Sequence, residues 1–378
     1  MKRENFKIGF VRRGFSPSGG AETYLRRLAG GVAAAGHEAI LFTSAVWPET
    51  YWPGSQIHRV NATGPLGFAD ELERINPWDY CHVVVSLERI WRCDFFRAGD
   101  GLHRAWLDRR ATFEPRLRRF ARMFNRKHAE ILELEKRLLG SRGAGRVIAN
   151  SAMVRDEIVN CYAFPAEAID LIRNGISVSE FGPAPLKRAA ARAQLHLVPG
   201  DIAVLFVGSG WERKGLRFAI GALESLRNER ARLLVVGRGN RGKFRSRHAH
   251  FFGEISDVRP FLAAADIFLL PTLYDPFSNA SLEAMAAGLP VITTRANGCS
   301  EIIQDKVHGS IIDRADDLAA LSEALHFWSD ESRRKDAQLA LLEQATEFDL
   351  SRNVSQTLQT LFSYPSIADS TSGKMRKI

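Results

Sequence analysis

A chain of 378 residues, 45% hydrophobic and 25% charged, has a globular composition and is too long for one hydrophobic core, so two domains are expected. Its four cysteines, Cys81, Cys93, Cys161 and Cys299, are widely spaced with no C-x-x-C pair, which supports neither a disulfide framework nor a structural zinc site and points to a reducing compartment. The formal net charge of +9 implies an anionic partner: nucleic acid, a phosphorylated ligand or an acidic lipid surface.

No run of 18 or more apolar residues occurs, and the opening MKRENFKIGFVRRG has no signal-peptide core before its first strand-like segment. The expectation is a cytoplasmic protein, at most peripheral on a membrane. Apolar, β-branched runs then alternate with helix-length amphipathic segments: FKIGFV, HEAILFT, HVVVS, RVIANS, IAVLFVG, RLLVVG, DIFLLP and PVITT. Continuous apolar strands separated by helices predict parallel sheets covered on both faces, an α/β fold. The pattern restarts, because FKIGFVRRG and DIAVLFVGSG each empty into a glycine-containing loop ahead of a long helix, with the Gly-, Pro- and Ser-rich IRNGISVSEFGPAPLKR between them. Residues 1–172 and 173–362 are therefore expected to be two Rossmann-like, doubly wound domains facing a cleft, with ligands at the carboxyl ends of their strands. Residues 363–378, polar and aperiodic, are expected to be a disordered tail.

Along the chain, SPSGGAETYLRRL places Gly19 and Gly20 at the start of an amphipathic helix, where backbone amides attract anions. Between Arg104 and Lys127 nine basic residues face two acids, a surplus that nearly accounts for the whole net charge. In PRLRRFARMFNRKH, Leu117, Phe120, Ala121 and Phe124 follow helical spacing, and Arg118, Arg119, Arg122 and Arg126 take the opposite side. Arg116, Arg118, Arg119, Phe120, Arg122, Phe124, Arg126 and Lys127 are accordingly expected to form a basic amphipathic helix at an anionic membrane surface, with a solvated basic face as the alternative. In VGSGWERKGLRF, Arg213 and Lys214 sit at the first turn of an expected helix, where the positive end of the dipole disfavours cations unless a ligand such as a diphosphate neutralises them.

VVGRGNRGKF contains a G-x-G-x-x-G and a P-loop lacking its final letter. Neither motif functions here: the basic KFRSRHAH that follows has no apolar helical face, and Phe244 replaces the Ser or Thr that would hold magnesium. In PTLYDPFSNASLEAMAAGLPVITT, Asp275 lies in the loop leaving a strand, Ser278 or Asn279 caps the next helix, Glu283 falls in its first turn and Gly288 ends it. Two carboxylates eight positions apart can accept hydrogen bonds from a polyol, such as a sugar and a ribose.

The Gly-Gly loop, the Arg173-Asn174-Gly175 turn, the Arg213-Lys214-Gly215 element and the E-x7-E motif, in this order, resemble the retaining glycosyltransferases of family 4 over residues 5 to 362. The chain departs from the family at Asp275, where Glu is usual. The resemblance implies the GT-B fold, with a C-terminal helix packing back on the N-terminal domain. It implies that Gly19 and Gly20 contact donor phosphate, that Arg213 and Lys214 bind the diphosphate, that Asp275 contacts the transferred sugar and Glu283 the ribose, and that the amides of Gly298, Cys299 and Ser300 complete the sugar site. Arg173, Asn174, Gly208, Ser278, Asn279 and Ala280 belong to the same donor site on this basis. No D-x-D motif occurs, and the resemblance implies neither metal nor cofactor, the nucleotide sugar being a co-substrate.

DFFRAGDGLHRAWLDRR and HAEILELEKRLL are most similar to lipopolysaccharide core glycosyltransferases of the glucosyltransferase I type. That implies Asp100 and His103 as base or positioning groups beside the reacting sugar, a UDP-sugar donor with UDP-glucose first, and a lipid-anchored saccharide acceptor at the inner membrane face. No nucleic-acid partner is expected. Another glycolipid or an exopolysaccharide intermediate is the alternative acceptor, and a Rossmann-type sugar-nucleotide-modifying oxidoreductase and a non-catalytic basic binding protein are the competing classes.

Overall fold

The computed structural model of the protein describes residues 5–16, 20–115, 120, 124–182 and 185–364. The chain divides into two compact units, Met1–Arg173 with Ser351–Ile378, and Asn174–Leu350. The first contains β1 (Lys7–Val11), β2 (Glu38–Thr43), β3 (Gln56–Arg59), β4 (Val83–Ser86), β5 (Cys93–Arg97), β6 (Ala144–Ala149) and β7 (Ile169–Leu171), in spatial order β3-β2-β1-β4-β5-β6-β7. The second contains β8 (Ile202–Val207), β9 (Ala231–Val236), β10 (Ala249–Gly253), β11 (Ile267–Leu270), β12 (Val291–Thr294) and β13 (Gly309–Ile312), in order β10-β9-β8-β11-β12-β13. Every strand pairing is parallel. Both units are therefore doubly wound α/β sheets.

The expected apolar runs are the central strands, and they are central because both of their faces are covered. Ile8, Phe10, Leu41, Val83, Val85 and Phe95 are buried with Leu25 and Leu28 of the helix Gly20–Ala34. In the second unit Val204, Leu205, Phe206, Phe268 and Ile292 are sealed from solvent. The sequence also marks HAHFFG as a strand, which is β10, so the strands missing from the sequence expectation are β3, β5, β7 and β13. Three of them are sheet edges, short and partly polar, which carry a weaker apolar signal.

β5 is a different case. Its CDFFR was not among the expected strands, yet Phe95 and Phe96 are core residues. The charged residues that obscured it are accommodated in place: Asp94 accepts hydrogen bonds from Val84 N (2.8 Å) and Trp78 Nε1 (2.9 Å). Buried Arg97 donates to Ile172 O (2.8 Å) and lies over the Tyr24 ring. Buried polar groups satisfied in this way are compatible with a core strand.

The helix Leu350–Phe362, which the sequence boundaries placed within 173–362, packs on the first unit. Leu361 joins that unit's core, Thr357 Oγ1 meets Tyr24 OH at 3.2 Å, and Phe362 lies 4.7 Å from the His37 ring. Tyr364, placed in the expected tail, is likewise packed on Phe95, with ring centroids 4.9 Å apart. Residues 365–378 of that tail lie outside the described residues.

In VVGRGNRGKF the glycines permit close packing. A Cβ on Gly237 would lie 2.2 Å from Gly208 O, and one on Gly239 would lie 2.2 Å from Trp211 Cδ2. The turn after β9 thus supports the loop Gly208–Trp211 that follows β8. A sharper constraint falls at Gly215, which has φ +78° and whose Cβ would lie 1.8 Å from Pro271 O. Gly210, with φ +75°, has nothing within 4 Å. Gly210→Ala should cost only the left-handed backbone penalty of about 1–2 kcal/mol. Gly215→Ala should add the clash and cost visibly more, as measured by denaturant unfolding of both variants.

Candidate functional site

The second sheet reverses its strand order between β8 and β11, and ligands in open α/β sheets bind beside the carboxyl ends of strands at such a point. The loops there carry the expected donor residues. Arg213 and Lys214 lie in turns just before the helix Leu216–Ser225, not within its first turn, because Gly215 is the N-cap. Arg213 O accepts from Thr272 Oγ1 (3.0 Å) and Leu273 N (2.9 Å), which ties the β8 loop to the loop leaving β11. Gly208 leaves room for the Lys214 stem, its Cβ position being 3.1 Å from Lys214 Cγ.

Lys214 Nζ donates to the Asp275 carboxylate, and both side chains are largely buried. Burial pulls the Lys214 ammonium below its ordinary range, and Asp275 opposes that shift. The shorter acid at position 275 thus forms an ion pair with the lysine. Arg213 is half-buried and has no carboxylate partner among the described residues, so it is the open cation of the pair.

Asn297, absent from the sequence expectation, organises the sugar-site loops. It is fully buried, and its Nδ2 donates to Ser281 Oγ (3.2 Å) and Thr293 Oγ1 (3.0 Å). Its Oδ1 accepts from Ser278 N (3.2 Å) and Cys299 N (3.1 Å). An asparagine three residues after PVITT carries no sequence signal, because its role is set by four partners brought together by the fold.

The amides expected to complete the sugar site are occupied. Gly298 N donates to Asp275 O (2.8 Å), Cys299 N to Asn297 Oδ1 and Ser300 N to Asn297 O (2.8 Å). They shape the loop after β12, and the Cys299 thiol is buried with its pKa pushed up by that burial.

Ser278 caps the helix Asn279–Ala286 through Ser281 N (3.2 Å), as its residue type favours. Asn279 Oδ1 accepts from Asn174 Nδ2 (2.8 Å), and Ala280 occupies the first turn. Glu283 lies one turn further along than expected. It is half-buried and without a side-chain hydrogen-bond partner among the described residues, and burial followed by the charge of Glu180 pushes its carboxyl up to about 7. Gly288 follows the helix with φ +75°, the left-handed ending expected of it.

The first sheet reverses between β1 and β4. Gly20 opens the helix Gly20–Ala34, and Gly19 lies outside the described residues. Arg12, at the end of β1, bonds Glu22 (2.9 Å) and Glu88 (3.0 Å), and Asp100 lies exposed in the turn after β5. Arg173 closes this unit, its carbonyl accepting from Asn353 Nδ2.

His103 starts the helix His103–Thr112, and its Nε2 is 2.9 Å from His128 Nδ1. Burial, and then the charge of Arg89, lower its pKa to about 4. The imidazole is therefore neutral at physiological pH and suited to positioning by hydrogen bonds. Glu135 was missed by the sequence. Its buried carboxylate accepts from His103 N (2.6 Å), Arg104 N (3.0 Å), Arg89 Nε (2.7 Å) and Tyr162 OH (2.8 Å), capping the His103 helix from another element. Burial works to raise its pKa, but Arg89 and these donors hold it below the ordinary range.

The expected membrane helix is not continuous through Lys127. Asn125 is extended and caps a new helix, Arg126–Glu135, by accepting from His128 N (3.3 Å). Arg126 pairs with Glu130 (3.0 Å). Phe120 and Phe124 are 62% and 75% exposed, with ring centroids 5.3 Å apart. Arg116, Arg118, Arg119 and Arg122 lie outside the described residues. Among the described residues no helix is long and apolar enough to cross a membrane, and no three His, Cys, Asp or Glu side chains converge as a metal site.

A family model described as Glycosyl transferases group 1 matches residues 201–330, and one described as Glycosyltransferase Family 4 matches residues 18–180. A curated relative, the D-inositol 3-phosphate glycosyltransferase of Pseudarthrobacter chlorophenolicus, is 30% identical over 92% of this chain and 91% of its own. The chain belongs to glycosyltransferase family 4. Its fold is that of the family 4 GT-B enzymes. The crystal structure of WaaG, a glycosyltransferase involved in lipopolysaccharide biosynthesis, superposes with a TM-score of 0.79 at 23% identity, covering 94% of this chain and all of that one. Anabaena HepE in complex with UDP-glucose superposes at 0.71 with 20% identity, covering 95% and 100%. The chain is therefore a transferase, and family 4 motifs occupy the carboxyl-end loops of its second sheet.

Two titrations follow from this geometry. Because the folded Glu283 carboxyl holds its proton up to about pH 7 and an unfolded one only to 4.5, the protein loses stability as pH rises across that window. Glu283→Gln should therefore melt higher than the parent at pH 8, and the difference should vanish near pH 4.5. His103 has the opposite sign: between 6.5 and about 4 the unfolded chain binds the proton first, so stability falls as pH drops. His103→Gln should flatten that acid-side slope in melting curves taken across the same range.

Proposed function

We propose that this family 4 enzyme transfers a hexose from a uridine diphosphate sugar, UDP-glucose first, with retention of anomeric configuration. The observation that carries the reading is the half-buried Arg213, open beside the Lys214–Asp275 pair where the second sheet reverses its strand order. The UDP-glucose bound by HepE supports the choice of donor. Arg213 and Lys214 take the diphosphate charge, Asp275 the sugar hydroxyls and Glu283 the ribose hydroxyls, whose hydrogen bonds favour the charged carboxylate. Neither metal nor cofactor is proposed to take part.

As the bond from the anomeric carbon to the phosphate oxygen breaks, the two cations stabilise the charge that develops on the leaving diphosphate. The acceptor hydroxyl attacks the same face, and its proton passes to the departing phosphate oxygen. Asp100 and the neutral His103, fixed by Glu135, position the acceptor side.

The acceptor is proposed to be a lipopolysaccharide core saccharide met at the cytoplasmic membrane face. The likeness to WaaG and the basic segment around Phe120 and Phe124 support this. The name of the Pseudarthrobacter relative favours a second reading, an inositol phosphate acceptor, on 30% identity over nearly the whole chain.

A ligand that binds only the folded state raises its melting temperature. UDP and UDP-sugars should therefore stabilise the protein where NADH does not, and no stabilisation by any nucleoside diphosphate or its sugars contradicts the proposal. Arg213→Ala should weaken UDP binding about 10- to 100-fold, the loss expected for a charged hydrogen bond. Transfer to a lipopolysaccharide core oligosaccharide or to inositol phosphate, followed by anomeric NMR of the product, then separates the two acceptors.

A further inference from the structure

The segment 104–127 is not the only concentration of positive charge. Between Arg227 and Arg247 eight basic residues face a single acid, Glu229, so the surplus equals that of the earlier segment. These residues surround β9 and the edge strand β10. The turn before β9, the connection Gly237–His248 and the end of the helix Leu216–Ser225 enclose a cavity of about 1120 Å³. Four of the eight have carboxylate partners: Arg232 with Asp201, Arg238 with Glu254, Lys243 with Glu212 and Arg247 with Glu229. Arg227, Arg241 and Arg245 line the cavity, are exposed, and have no carboxylate partner among the described residues.

The walls suit a ligand with an apolar or ring portion. Phe244 is buried and Phe251 half-buried, with the Arg241 guanidinium 5.3 Å from the Phe251 ring centroid. His248 Nε2 accepts from Arg247 Nε at 3.0 Å, which fixes the arginine at the cavity mouth. Arg227 precedes β9 and Arg247 and His248 precede β10, so the cavity reaches the amino ends of the strands. Arg213 and Asp275 belong to the carboxyl-end loops and Glu283 to the helix Asn279–Ala286, and none of them lines it. Glu224 and Glu229 also line the cavity, the latter paired with Arg247, so Arg227, Arg241 and Arg245 leave it net positive, and guanidinium forks match phosphate oxygens two at a time. The volume exceeds that of a bare phosphate and lies just above the upper end, about 1,000 Å³, of small-molecule sites.

We propose that this cavity is a second anion site, taking a phosphate-bearing ligand with a small organic portion, distinct from the nucleotide-sugar site. The inference does not depend on which donor or acceptor the enzyme uses. Its source is either a soluble phosphorylated metabolite or the headgroup of a phospholipid.

The test is calorimetric titration of inorganic pyrophosphate into the full chain at near-physiological salt, with and without saturating UDP. The expected result is a saturable equivalent that persists in UDP, is unchanged in Arg213→Ala, and weakens at least tenfold in Arg227→Ser/Arg245→Ser. Arg245→Glu, a single exposed change, should weaken it in the same direction. Co-sedimentation with phosphatidylcholine vesicles, with and without phosphatidylglycerol, assigns the source. Binding that requires phosphatidylglycerol and is lost in the double variant identifies a headgroup; pyrophosphate binding without vesicle binding identifies a soluble ligand. A single equivalent abolished by UDP, or a second one indifferent to the arginine variants, overturns the proposal.

Discussion

The ion pair between Lys214 and Asp275 joins the two loops on either side of the strand reversal in the second sheet, and the geometry of the candidate site depends on it. Burying two opposite charges costs several kcal/mol per ion unless each is well paired, so these loops hold each other in register. Around the pair the backbone leaves little freedom: Gly215 must be glycine for the chain to pass Pro271, and Arg213 O is held by Thr272 and Leu273. Among the described residues the Arg213 guanidinium has no carboxylate partner and the Glu283 carboxylate no side-chain hydrogen bond, and the buried Trp211 Nε1 in the loop after β8 is likewise without a partner.

The two sheets share a plan and differ in chemistry. Arg12 at the end of β1 is matched by Glu22 and Glu88, so the corresponding position in the first unit is neutralised internally. Glu135 gathers four donors and fixes the start of the His103 helix. On the proposed reading the first unit positions uncharged groups, a role that the neutral His103 fits, and the second receives an anion. This asymmetry agrees with a donor that carries a diphosphate and an acceptor recognised through hydroxyl groups.

Much of this was legible in the sequence. The central strands announced themselves because strands buried on both faces read as unbroken apolar runs. The edge strands β3, β7 and β13 did not, because exposure lets polar residues in. β5 was hidden by Asp94 and Arg97, whose partners lie far along the chain. Motifs such as Arg213-Lys214-Gly215 and Asp275 to Glu283 were visible since their spacing is local. Asn297 and Glu135 were not, because each acts by collecting donors and acceptors that only the fold assembles. The amides of Gly298, Cys299 and Ser300 show the converse, a local motif whose groups the fold has already used. The basic segment from Arg227 to Arg247 was readable as composition, yet its cavity emerges only when the connection after β9 folds over the sheet edge.

The central claim is that the carboxyl-end loops of the second sheet hold the nucleoside diphosphate. Hydrogen exchange with and without UDP measures it directly. The account predicts that protection rises across Gly208–Leu216 and Asp275–Glu283, with little change around the amino ends of β9 and β10. Protection confined to other segments, with these two loops unaffected by saturating UDP, would contradict it.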